Sequence, residues 1–172
     1  MSWTAPDITR TDETIAAGER ATLEGFLEWY RATLLGKCAG LSADQLATRA
    51  VPPSNLSLLG LVRHMAEVER SWFRRRFAGE DVARVYVSEA TADAALDEVH
   101  PQTAEADFAV FAAELEACRA AAAGHSLEET FAHPRAGEMS LRWIYAHMIE
   151  EYARHCGHAD LIRECIDGTV GQ

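Results

Sequence analysis

The chain has 172 residues, 27 acidic against 16 basic side chains, a formal charge of −11 and 48% hydrophobic residues. That size predicts one domain over residues 1–172, with roughly two-thirds of the unfolded chain's surface buried and no need of disulfide staples. With 31 alanines, few Gly or Pro, one lysine (Lys37) and no apolar run of the ~18 residues that span a bilayer, the sequence excludes disordered, collagen-like, nucleic-acid-binding and membrane-spanning classes. The N-terminus has no basic-then-apolar signal pattern, so the expectation is a soluble, cytoplasmic, mainly helical protein.

The first helix is expected to start at Thr11 or Asp12, either of which can cap, and to run to about Gly36. Leu23, Phe26, Leu27, Tyr30 and Leu34 give it a one-sided apolar stripe. Segment 41–54 carries a short helical turn, Ser42 to Leu46, and breaks at Pro52-Pro53-Ser54. The second long helix is expected from Ser57 to Phe77, with Leu58, Leu61, Met65, Val68 and Trp72 facing inward. Its last turn holds Arg74, Arg75 and Arg76, which suit either the helix C-terminal dipole or an anion-binding edge.

Residues 79–102 show no strong period. A connection of that length usually serves topology or function, and here a crossover would let the second and third helices run parallel. The third helix is expected over 103–123, with Phe108, Phe111, Leu115 and Cys118 inward and Gly124 ending it. After a polar segment containing His133-Pro134, Ser140 caps a fourth helix that reaches Ile166. The expected architecture is all-α, a four-helix bundle with a long crossover between the second and third helices. Cys38, Cys118, Cys156 and Cys165 lack metal or disulfide spacing and read as reduced thiols.

The fourth helix's inward stripe reads Leu141, Ile144, Met148, Glu151, His155 and Ile162. Glu151 and His155 stand at i, i+4 where apolar residues belong, so they project side by side. His64 lies on or beside the buried face of the second helix, between Leu61 and Val68. One reading is an internal ion pair with a separately satisfied histidine. The other is a divalent metal, since two neutral imidazoles and a carboxylate form a common ligand set with open positions. His147 is a bystander or a further ligand, and His158 and Asp160 could orient the imidazole of His155. H-E-x-x-H, E-x-x-H, phosphate-loop and G-x-S-x-G motifs are absent.

The run Leu58-Leu59-Gly60-Leu61-Val62-Arg63-His64-Met65-Ala66-Glu67-Val68-Glu69-Arg70-Ser71-Trp72-Phe73 resembles the second helix of the DinB-like superfamily. The run from His147 to Leu161 is similar to its last helix, and the layout matches over nearly the whole chain. The resemblance implies a divalent metal held by His64, Glu151 and His155, with Glu151 replacing the histidine usual at the middle position. That His-Glu-His set also occurs in the mycothiol-dependent maleylpyruvate isomerases, whose metal-binding domain belongs to the same superfamily. Those proteins carry a further C-terminal domain, whereas this chain ends four residues after Gly168, so isomerase activity is not expected.

The resemblance implies a metal-dependent S-transferase that joins a low-molecular-weight thiol, such as mycothiol, to a small electrophile. Zinc is the first choice of metal, with nickel, iron or manganese as alternatives. Arg63 and Arg154 are candidate cofactor contacts, Arg74 is a further anion contact, and no catalytic residue is assigned. The alternatives are a non-catalytic metal-stabilised binding or stress-response module and a metal-dependent hydrolase. Trp29, Trp72 and Trp143 are expected in the core, with a homodimer face as the other use for one of them.

Overall fold

The computed structural model describes residues 3–10, 15–88 and 90–171. Where the sequence offers a serine cap, a helix begins. Ser42 and Gln45 form a reciprocal capping box on α2 (Ala43–Ala47). Ser57 accepts from the Gly60 amide at 3.1 Å and opens α3 (Leu58–Glu69). Ser140 accepts from Trp143 at 3.2 Å and opens α6 (Leu141–Asp167), which ends on Gly168 in the left-handed conformation, φ 79°. With α1 (Glu19–Cys38), α4 (Ala94–Asp97) and α5 (Ala104–Ala122), the chain is mostly helical. Among the described residues no helix is long and apolar enough to cross a membrane.

Four boundaries differ from expectation. α1 starts at Glu19, with Gly18 at its N-cap, and continues through Gly36 to Cys38; Thr11 and Asp12 lie outside the described residues. The second long helix is α-helical only to Glu69. Arg70–Phe77 form a π-helical segment with i→i+5 bonding. The crossover contains α4 and a 3-10 turn at Pro101–Thr103. The polar segment before α6 is a hairpin, β1 (Thr130–His133) antiparallel to β2 (Gly137–Ser140), rather than a loop. Exposed and half-buried residues alternate along β1, and the hairpin is held by tertiary packing, with the Phe131 ring 6.2 Å from that of Phe77.

Side-chain pairs fix the helix directions. Arg63 pairs with Asp107 and Arg70 with Glu114, so α3 with its π extension runs parallel to α5, which requires the crossover. Glu19 pairs with Arg142 and Lys37 with Asp160, so α1 and α6 are parallel too. Between these pairs the sense reverses, because Glu69 meets Tyr152 while Trp72 meets Trp143. Gly60 lets the crossover approach α3 closely, since a Cβ there would stand 3.4 Å from Val99 and 3.5 Å from the Leu96 Cα.

The expected inward residues Leu27, Leu34, Leu58, Leu61, Met65, Phe111, Leu115, Leu141, Ile144, Met148 and Ile162 are all buried. Phe26 is not; it is 41% exposed. The turn it was expected to fill goes inward through Arg31, 4% exposed, whose Nε and Nη2 donate to both oxygens of fully buried Glu69 at 2.7 and 2.6 Å. Tyr152 donates to the same carboxylate at 2.8 Å, so one polar cluster ties α1, α3 and α6 together. Cys38, Cys118 and Cys156 are buried, Cys165 is exposed, and all four are free thiols.

Removing one partner of a buried bidentate pair leaves the other charge uncompensated, at a cost of about 3–5 kcal/mol. Glu69→Ala is therefore expected to lower the unfolding free energy in urea by that amount. Arg119→Ala, which breaks a half-exposed pair with Glu28, is expected to cost under about 1 kcal/mol.

Candidate metal centre

The antiparallel contact of α3 with α6 carries His64 to Glu151 and His155. The imidazole rings of His64 and His155 lie 4.7 Å apart, centre to centre, at 65°. His155 Nε2 is 3.5 Å from Glu151 Oε2. One donor atom from each of the three residues falls within 4.8 Å of the others. Two donors about 2.1 Å from one ion at a tetrahedral angle stand about 3.4 Å apart, so the cluster has the scale of a coordination site. His155 is 8% exposed and buried as expected, while His64 and Glu151 are half-buried, which leaves one side approachable.

Metal ligation needs unprotonated imidazole, and the surroundings of both rings supply it. Burial, then the His64, His158 and Arg154 charges, push His155 down to about 3. Burial also lowers His64, against the opposing pull of Glu151, Asp93 and Glu67. His158 Nδ1 lies 3.3 Å from His155 Nδ1, on the side away from Glu151. That is the arrangement in which a neighbour holds an imidazole so that Nε2 is the free donor. Asp160 does not share this duty; it pairs with Lys37 at 2.6 Å.

His147 reaches Glu151 Oε1 at 3.7 Å from one turn earlier. Its ring stacks on Trp143, 4.7 Å between centroids at 17°, and meets the edge of Trp72 at 4.9 Å. This aromatic edge escaped the sequence reading, although the i, i+4 spacing of Trp143 and His147 is a signal for it. It also corrects the core expectation for Trp143, which is 41% exposed.

The arginines are engaged elsewhere in the chain, although the Arg154 charge is felt at His155. Arg63 is buried, donates to the Ala95 and Ala94 carbonyls and Asp107, and lies over the Tyr86 ring. Arg74 pairs with Glu80 and Glu114. Arg154 is exposed and pairs with Glu150. Arg63 and Arg154, the candidate cofactor contacts, thus have partners within the chain.

Protonation of His155 is coupled to folding. Its unfolded value near 6.5 drops to about 3 in the native state, so between those limits the unfolded chain binds a proton that the folded one refuses. Stability is therefore full above pH ~6.5 and falls as pH drops toward ~3. In chelator-treated protein, urea midpoints between pH 7 and 4 are expected to fall less steeply for His155→Gln than for the parent; equal slopes would refute this protonation account.

Comparison with known families gives one match. Residues 22–168, from the first turn of α1 to the cap of α6, match the mycothiol-S-transferase family, a DinB-like family, as the resemblance implied. No curated protein matches the chain.

Proposed function

The chain belongs to the mycothiol-S-transferase family, and from that premise we propose that it is a single DinB-like four-helix bundle that catalyses metal-dependent transfer of mycothiol, or a related small thiol, to an electrophile. The observation that carries this reading is the meeting of His64, Glu151 and His155 on facing helices. Zinc suits the two-nitrogen, one-oxygen set best, and nickel, iron and manganese are compatible with it. A divalent ion held there would supply a Lewis acid that lowers the pKa of a coordinated thiol.

The protein's own groups prepare the site for that ion. Desolvation keeps His64 and His155 unprotonated, and His158 fixes the direction of the His155 ring. Glu151 brings a negative charge that offsets a dication, where a third histidine would bring none. Its half-burial leaves the outer face open to a thiol and its partner.

The chain's buried cysteines are poor nucleophiles. Burial raises Cys38 and Cys156 to about 12 and Cys118 further, so these thiols stay protonated. Cys165 is exposed but stands ten residues beyond His155 on α6, about 15 Å along the helix axis. In the transfer reaction the reacting sulfur is therefore expected to come from a small thiol.

Protein purified without added ions or an affinity tag is expected to carry about one divalent ion per chain by elemental analysis, as one site of this kind requires. His155→Ala should lose the ion while keeping its helical circular dichroism. Metal-dependent consumption of thiol with an electrophile is expected, with mycothiol used faster than bacillithiol or glutathione. No metal in either protein sinks the ligand assignment; metal without thiol consumption favours the non-catalytic module.

A further inference from the structure

The π-helical segment and the hairpin build a second feature beside the metal cluster. Trp72 stacks on His133 of β1, 5.8 Å between centroids at 18°, and touches Trp143 at 5.0 Å. With His147 these rings form a stepped aromatic shelf, tilted 53° between the two indoles and 70° between Trp72 and His147, that reaches Glu151 through the 3.7 Å contact of His147. Arg76, from the π-helical segment, lies over Trp72 with its guanidinium carbon 4.6 Å from the ring.

The charge around this shelf runs against the rest of the molecule. In a chain of net charge −11, Arg75, Arg76, Arg84 and Arg135 have no carboxylate partner among the described residues. Arg75 donates to the Val82 carbonyl and Arg76 to Ser71. Arg76 is partly desolvated and faces Arg84, Arg75 and Arg135, which together hold its guanidinium below the usual value. Glu150, which approaches His147 at 3.5 Å, is itself paired with Arg154. Mutually repelling cations with no carboxylate partner among the described residues, beside an aromatic cluster whose Trp143 is exposed, offer an aromatic contact and a charge-assisted hydrogen bond at once.

We propose that the shelf of Trp72, His133, Trp143 and His147, with Arg76 at its rim, binds a flat aromatic acid, and that the electrophile of the transfer reaction is of this class. The second half rests on the thiol-transfer reading; the first half rests on the shelf alone. The ring packs against exposed Trp143, the carboxylate meets Arg76 over Trp72, and the reactive carbon is directed along His147 toward the cluster of His64, Glu151 and His155. For an aryl chloride the balance is simple. The sulfur lone pair forms the C–S bond, chloride leaves with the C–Cl electron pair, and the thiol proton passes to water.

The test uses 4-chloro-3-nitrobenzoate and its methyl ester, which share a flat ring and differ in charge. Calorimetric titration of the protein as purified, without thiol, is expected to show the acid binding about tenfold more tightly than the ester, the scale of one charge-assisted hydrogen bond. Arg76→Gln should remove most of that preference, Arg76→Lys should retain part of it, and His155→Ala should leave it intact. Equal binding of acid and ester, no binding of the acid, or an unchanged preference in Arg76→Gln overturns the shelf. With mycothiol added, a lower KM for the acid than for the ester supports the assignment to the electrophile, and an equal or higher KM for the acid overturns it. Binding as expected with no turnover of either compound sinks the transfer reading and leaves the shelf standing.

Discussion

Arg31 and Glu69 meet in the interior with both charges withdrawn from water, and Tyr152 donates to the same carboxylate. A carboxylate so placed must be satisfied on both oxygens, and only one register of α1, α3 and α6 does so. That register decides the site. With Glu69 fixed opposite Tyr152, the neighbouring Glu151 faces α3, and the antiparallel sense brings His64 level with His155. Burial and Glu69 hold the Tyr152 phenol far above its ordinary value, so it remains a donor and the cluster stays closed. A hydrophobic replacement of the triad could pack as well, but it would not specify this one alignment.

Around that anchor the molecule separates two electrostatic tasks. At the cluster of His64, Glu151 and His155, burial keeps the imidazoles neutral and a single carboxylate would supply the charge that a dication needs. One helical turn along α6, the surface changes to stacked rings, with Arg76, which has no carboxylate partner among the described residues, over Trp72. The π-helical segment links the two. It follows directly on α3, so the helix that delivers His64 also delivers Trp72 and Arg76.

Much of the fold was legible in the sequence because apolar periodicity reports burial directly. The spans of α5 and α6 and the start of the second long helix near Ser57 follow from it, the Ser140 cap follows from its side chain, and the crossover follows from the lack of any period over 79–102. The same logic exposed Glu151 and His155, charged or polar residues standing where the stripe demanded apolar ones. It would also have exposed Arg31, which falls between Leu27 and Leu34 at i+4 and i+7, and Glu69, between Met65 and Phe73. The start of α1, the π-helical segment and the hairpin were not legible, because each depends on tertiary packing rather than local pattern. Nor was the aromatic shelf, since His133 joins Trp72 only through the fold of the hairpin.

The central claim is that His64, Glu151 and His155 hold a metal to which a small thiol binds. X-ray absorption at the metal edge, recorded with and without mycothiol, addresses both halves together. The account predicts a shell of nitrogen and oxygen donors at about 2.0–2.2 Å in the resting protein, with a sulfur at about 2.3 Å appearing on addition of the thiol. A shell that stays free of sulfur at saturating thiol, or sulfur already present in the resting protein, would contradict it.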